Sequence, residues 1–227
     1  EAEQRKYLEE FFWRMSLSFR YSSSAESRLA QDIKRIDKVL AGERPNYNDI
    51  KVYLDSPQAL IETNFSAGNS YCKAILCLLA YQEPKDFRDN GKVILDNSWL
   101  KVANSKNYHH FFPKAYLKGK TVLDSNSLMN ITLVSDHLNK RKIGAKSPSV
   151  YVGDFADQNS DINIALNSHF IDINGYGIES DDYQQFLNAR AKEIFDHLKA
   201  RIELTHTESA NEKIEELIFG GESETVE

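Results

Sequence analysis

Cysteine is scarce in this sequence and never occurs in the pairs that bind zinc or carry redox chemistry. The two cysteines, Cys72 and Cys77, lie in one apolar stretch and form no CxxC motif. A zinc ribbon or a dithiol redox site built on such motifs is therefore excluded. At five residues apart on a helix the two thiols lie on separate faces. We expect both to be free, as is usual in a reducing cytosol.

Long apolar runs are also absent. No stretch approaches the roughly 18 residues that cross a bilayer, and no basic start with an apolar stretch and cleavage site marks a secretory signal. We therefore expect a globular cytoplasmic protein with no membrane partner. The chain begins at Glu1 instead of methionine and opens directly in a helical pattern. We accordingly expect a fragment of a longer protein.

The charge is distributed unevenly. The whole chain carries a net charge of -6, but residues 101–150 hold nine Lys or Arg against two Asp, which leaves +7 there and -13 elsewhere. A polyanion needs only the surface it touches to be basic. The basic centre is thus compatible with nucleic-acid binding, although most runs of this kind are plain solvated faces.

Two amphipathic helices are predicted near the N-terminus. Residues 7–19 place Leu8, Phe11, Phe12, Met15 and Phe19 on one helical face, and residues 24–41 do the same with Ala25, Leu29, Ile33, Ile36 and Leu40. A capping box at residues 23–26 and Gly42 delimit the second helix. Further helical segments are expected within 46–64, at 70–81 and over 181–204, with Ser180 as a cap. Residues 92–95 and 130–134 read as short strands.

The segment from Tyr108 to Pro148 holds the residues that suggest chemistry. It reads YHHFFPKAYL and, further on, LMNITLVSDHLNKRKIGAKSP. Nineteen residues separate His110 from Asn130, and eight separate Asn130 from Asn139. The histidine pair, Pro113 and the two asparagines in this order resemble an HNH nuclease core, also called a ββα-metal or His-Me finger. They resemble most closely the C-terminal nuclease domain of GmrSD-like restriction enzymes. Residues 21–27 and 186–191 also look like the helices that flank that core.

The resemblance implies a role for each of these residues. His110 is the expected general base, because a neutral imidazole accepts a proton near pH 7. His109 and Asn139 are the expected metal ligands, and they leave most coordination positions to phosphate oxygens and water. Asn130 is expected to tie the loop between the strands through backbone hydrogen bonds. Adjacent strand residues point to opposite faces, so His109 and His110 can share a site only at a strand end or irregularity.

A divalent metal ion is the expected cofactor. His109 stands where many HNH enzymes have Asp, and a neutral nitrogen ligand suits Mg²⁺ less well than Mn²⁺, Co²⁺ or Ni²⁺. We therefore expect Mn²⁺ or Ni²⁺ to support more activity than Mg²⁺. Four further basic residues are expected to contact the phosphate backbone of DNA: Lys140, Arg141, Lys142 and Lys146.

The predicted fold class is α+β, a mainly helical bundle with an embedded ββα-metal hairpin and helix. Residues 1–91 form the bundle, 92–155 the nuclease core, 156–204 a helical part packed on the bundle, and 205–227 an acidic tail. The expected function is metal-dependent endonuclease cleavage of DNA in a prokaryotic restriction or defence system. The resemblance also implies a ParB-like N-terminal domain that is missing here. Two alternatives stay open: a non-catalytic nucleic-acid-binding module with a degenerate site, and a structural zinc site.

Overall fold

A computed structural model describes residues 1–95, 108–120, 124–135, 138 and 143–203. Of the predicted site residues, Asn139, Lys140, Arg141 and Lys142 lie outside these ranges. The fold class is α+β, with one two-stranded antiparallel sheet among the described residues. In that part of the chain no helix is long and apolar enough to cross a membrane.

The chain folds into two compact units. The first comprises Glu1–Leu54 and Asp196–Glu227, and the second comprises Asp55–Phe195. Among the described residues, the helices of at least four residues are α1 (Ala2–Ser16), α2 (Ala25–Leu40), α3 (Pro57–Glu62), α4 (Ser70–Tyr81), α5 (Lys114–Leu117), α6 (Pro148–Ala156), α7 (Ile162–Asn167) and α8 (Tyr183–Ile202). Strand β1 (Tyr108–His110) and strand β2 (Ile131–Leu133) form the sheet. The four predicted segments 1–91, 92–155, 156–204 and 205–227 remain a prediction.

Helix α1 is confirmed, but it buries only part of the predicted apolar face. Leu8 and Phe12 are exposed, whereas Glu10 is fully buried. The carboxylate of Glu10 accepts hydrogen bonds from Arg14 (2.8 Å) and from two nitrogens of Arg44 (2.8 and 2.9 Å). Two guanidinium groups compensate its charge, which makes its burial tolerable.

Helix α2 likewise turns its polar side inward. Asp32 is buried and binds Arg20 (2.6 Å) and Arg35 (2.5 Å). The apolar residues Leu29, Ile33 and Leu40 are exposed, with Ile33 at 62%. The predicted apolar face of this helix therefore does not face the core. Its stop at Gly42 is confirmed by the positive φ of 80°, which glycine adopts readily.

Three local predictions were wrong. The first is the capping box predicted at residues 23–26: Ser24 precedes α2, and its side chain makes no capping hydrogen bond. The cap of α8 is Asp182, whose Oδ1 accepts from the backbone of Gln185 (2.9 Å), in place of Ser180. Residues 92–95 form no strand: Lys92 makes an isolated bridge with Lys85 and no second residue pair extends it. A single bridge to a neighbouring loop does not sustain a ladder.

The second unit is built around helix α4, which begins and ends where the sequence predicts. Asn69 caps it, accepting hydrogen bonds from the backbone of Tyr71 (2.8 Å) and Cys72 (3.4 Å). Seven of its twelve residues are buried. Cys72 and Cys77 are free thiols, as predicted. This buried helix gives the small sheet a core to pack against.

Candidate functional site

The candidate site is the end of the β1–β2 hairpin. The strands pair in regular antiparallel register, with Tyr108 opposite Leu133 and His110 opposite Ile131. His110 is therefore the last residue of its strand, where the chain turns into the loop that leads to Asn130. The strand predicted over 130–134 is confirmed as β2, whereas the ββα-metal motif remains a prediction.

His110 has the environment of a neutral imidazole. It is half-buried, and its Nε2 lies 3.1 Å from Oδ1 of Asn126. Burial lowers the pKa of His110, the hydrogen bond to Asn126 raises it in part, and the charge of Lys114 lowers it again. Because the net shift of the pKa is downward, the ring is neutral at pH 7 and has a lone pair with which to accept a proton.

Asn130 ties the loop between the strands, as its predicted role requires. Its Oδ1 accepts from the backbone nitrogen of Phe112 (2.8 Å), and its Nδ2 donates to the carbonyl oxygens of Phe112 and Ser125 (3.0 Å each). The residue is completely buried. Its amide thus holds two points of the loop at the base of the hairpin, and it acts on His110 through the backbone.

Arg190 on α8 binds the backbone at the start of β2. Its guanidinium is completely buried and donates from Nη1 to the carbonyl oxygens of Met129 (2.8 Å) and Ile131 (2.7 Å). Nε and Nη2 both donate to the carbonyl oxygen of His169 (3.1 and 3.0 Å). Burial lowers the pKa of Arg190 to about 10, so it stays charged at neutral pH.

Arg190 and Asn126 are the two residues of the site that sequence reasoning missed. Arg190 lies within the segment 186–191 that carries the resemblance, but nothing in its spacing marked it as buried. Asn126 follows Asp124 and Ser125 in a polar stretch that reads as a turn. Its partner, Phe65, is sixty-one residues away along the chain, and no periodicity connects the two.

His109 lies on the face of β1 opposite to His110. It is buried, with 3% of its surface exposed, and its ring meets the edge of Tyr151 at 6.3 Å between ring centroids. The hydroxyl of Tyr151 donates to the carbonyl oxygen of Phe111 (2.7 Å), in a cluster with Phe112 and Phe186. Phe111 and Phe112 are fully buried. The predicted role of His109 as a metal ligand remains a prediction.

The described residues do not by themselves complete a metal site. Within the ranges that the structure covers, no three His, Cys, Asp or Glu side chains come together as ligands. The other predicted ligand, Asn139, is outside those ranges. Ser135 does accept a hydrogen bond from the backbone nitrogen of Leu138 (3.4 Å), the bond expected of the residue that begins the predicted helix bearing Asn139.

Exposed lysines follow His110 along the chain. Lys114, Lys118 and Lys120 are exposed, and Nζ of Lys120 lies 3.5 Å from the ring centroid of Tyr116. Among the predicted phosphate contacts the structure describes Lys146, whose Nζ pairs with Asp154 at 2.5 Å. Both side chains of that pair are about half exposed, and ion pairs of this kind contribute little. Lys146 therefore remains accessible to a phosphate.

The sequence is similar to part of an archaeal protein. Over 147 residues, 63% of this chain, the sequence is 29% identical to the uncharacterized protein MJ0686 of Methanocaldococcus jannaschii. The match covers 24% of that protein, so the chain corresponds to about a quarter of a much longer relative. No protein-family model matches the chain, and no solved structure matches it either.

Proposed function

We propose that this chain is an HNH-type endonuclease module that hydrolyses phosphodiester bonds of DNA, as part of a prokaryotic restriction or defence system. The observation that carries the proposal is the position of His110. A half-buried imidazole with a lowered pKa stands at the end of an antiparallel hairpin, and a buried asparagine ties the hairpin's loop. The GmrSD-like setting and the cytoplasmic location rest on the sequence resemblance.

In the proposed reaction His110 is the general base. Its neutral imidazole accepts a proton from water as the water oxygen forms a bond to phosphorus. The bond between phosphorus and the leaving oxygen breaks, and that oxygen departs with the electron pair and is then protonated. The contribution expected from a positioned base is roughly 10²–10⁴-fold.

The resemblance to HNH nucleases implies that the reaction uses a divalent metal ion. When bound, such an ion stabilises negative charge on the scissile phosphate and on the leaving oxygen. His109 and Asn139 are the residues proposed to hold it. The basic residues of 101–150 are proposed to hold the DNA backbone, a contact that carries no sequence information.

Plasmid cleavage with purified protein tests the proposal. Wild type is expected to nick or linearise supercoiled plasmid with Mn²⁺ and to be inactive in EDTA. His110→Ala is expected to lose cleavage while its melting temperature stays close to that of wild type. His206→Ala, which removes a histidine outside the residues that the structure describes, is the control variant and should cleave normally.

A gel-shift assay on the same samples separates cleavage from binding. Retention of DNA by wild type without any cleavage, in every metal tried, would support the non-catalytic module instead. Stoichiometric zinc in the purified protein, with neither cleavage nor binding, would support the structural zinc site. Cleavage by His110→Ala at the wild-type rate would disprove the proposed mechanism.

A further inference from the structure

We infer that Asn126 is a positioning residue that selects one tautomer of His110, with the proton on Nε2 and the lone pair on Nδ1. The role rests on the proposed function, because it matters for cleavage only if His110 is the base. Two hydrogen bonds carry the inference: one joins Nε2 of His110 to Oδ1 of Asn126 (3.1 Å), and the other joins Nδ2 of Asn126 to the carbonyl oxygen of Phe65 (2.9 Å).

The partner on the far side decides which way the amide of Asn126 points. A backbone carbonyl oxygen only accepts hydrogen bonds, so the group that faces Phe65 must be the amide nitrogen. The amide oxygen then faces His110, and an amide oxygen also only accepts. Nε2 of His110 must therefore carry the hydrogen. In the neutral ring this leaves the lone pair on Nδ1.

The backbone around Asn126 is held as firmly as its side chain. The backbone nitrogen of Phe65 donates to the carbonyl oxygen of Asn126 (2.8 Å), and Leu128 donates to Thr63 (2.8 Å). Asn64 and Ser127 form an antiparallel bridge between the same two segments. The backbone nitrogen of Asn126 is bound to Oδ1 of Asp124 (2.7 Å). An acceptor fixed in this way selects both the tautomer and the orientation of the imidazole.

Nδ1 is the nitrogen left for the chemistry. No described residue forms a hydrogen bond to it, whereas Nε2 is engaged by Asn126. The partner that orients a functional histidine is commonly a carboxylate or a carbonyl, and here a side-chain amide oxygen takes that place. For metal-binding histidines, removing such a partner typically lowers metal affinity or activity about 10–100-fold, and we expect an effect of the same order at His110.

Two substitutions at this position separate positioning from stability. Asn126→Leu and Asn126→Asp both remove the donor to Phe65, so both are expected to lower the melting temperature. Only Asn126→Asp retains an oxygen that accepts from Nε2. We expect Asn126→Leu to lower kcat about 10–100-fold with little change in KM for plasmid, and Asn126→Asp to cleave about tenfold faster than Asn126→Leu.

Nitrogen NMR of the labelled imidazole shows which ring nitrogen carries the proton and does not depend on a cleavage assay. The spectra are recorded at a pH at which the ring is neutral. We expect Nε2 of His110 to carry the proton in wild type. That proton should exchange slowly with water in wild type and rapidly in Asn126→Leu. A proton on Nδ1 in wild type would overturn it whatever the cleavage assay gives. Equal cleavage rates for the two variants would overturn the positioning role and leave the proposed function intact. An inactive wild type would overturn both.

Discussion

Arg190 donates a 2.7 Å hydrogen bond to the carbonyl oxygen of Ile131, the first residue of β2 and the residue opposite His110 in the sheet. The same Nη1 binds Met129, so one buried nitrogen holds the backbone on both sides of Asn130. All hydrogen-bonding partners described for this guanidinium are carbonyl oxygens. The fork of a guanidinium suits this arrangement because it presents several donors in fixed directions.

Arg190→Lys is expected to destabilise the protein by roughly 2–4 kcal/mol, because a single ammonium cannot reach all three carbonyl groups and leaves buried acceptors unsatisfied. Urea denaturation measures the free energy of unfolding. Arg5→Lys is the matched control: Arg5 forms an exposed ion pair with Glu9, and its replacement should cost less than about 1 kcal/mol. Equal effects at the two positions would contradict the structural role of Arg190.

Asn130→Asp is expected to lower the free energy of unfolding by about 2–5 kcal/mol, because the substitution aims a carboxylate oxygen at the carbonyl oxygens of Phe112 and Ser125 in a buried setting. Thermal and urea unfolding provide the measurement. The control is Asn188→Asp on the exposed side of α8, where the side-chain oxygen accepts from Gln184 (2.9 Å) and an aspartate can do the same. A stable Asn130→Asp variant would show that this amide does not tie the loop.

His169 is expected to make the protein lose stability in acid. Burial lowers the pKa of His169 from its usual 6.5 to about 4, and Nε2 of its ring lies 2.9 Å from the carbonyl oxygen of Lys85. Between pH 6.5 and 4 this histidine binds a proton in the unfolded chain but not in the folded chain, so the free energy of unfolding falls as the pH falls. The contribution of this residue to that loss is about 3 kcal/mol.

Urea denaturation at a series of pH values compares wild type with His169→Gln. The variant is expected to be less stable at pH 7 but to show a shallower decline toward pH 4. Parallel curves for wild type and His169→Gln would rule out His169 as the titrating group.

The inward face of α2 is tested by two truncations. Ile33→Ala is expected to change the free energy of unfolding by less than about 0.5 kcal/mol because Ile33 is exposed. Val39→Ala, at a residue with 2% exposure, should cost about 1–2.5 kcal/mol. If the predicted apolar face were the buried one, Ile33→Ala would be the more damaging change of the two.

Metal preference tests His109 as a ligand. A neutral imidazole ligand favours Mn²⁺ or Ni²⁺ over Mg²⁺, so plasmid cleavage at equal metal concentration is expected to be faster with Mn²⁺ or Ni²⁺. His109→Asp should shift the preference toward Mg²⁺. Circular dichroism checks that the variant is folded. A wild-type enzyme that works best with Mg²⁺ would count against direct ligation by His109.

Local sequence determined the positions of the main elements. Gly42 ends α2, Asn69 starts α4, and the short run at residues 130–134 marks β2, because caps, turns and strand patterns act over a few residues. The resemblance likewise singled out His110 and Asn130 by spacing. These features depend on neighbours in the chain, which the sequence displays directly.

The tertiary structure alone decided which polar groups are buried and what each of them binds. Glu10, Asp32 and Arg190 read from the sequence as solvent-facing charges, yet each is buried because partners remote in sequence or in another element satisfy it. Asn126 reaches His110 only because Phe65 fixes its amide. Periodicity measures apolar spacing and carries no information on such partners, so the burial of a charge and the direction of an amide follow only from the folded chain.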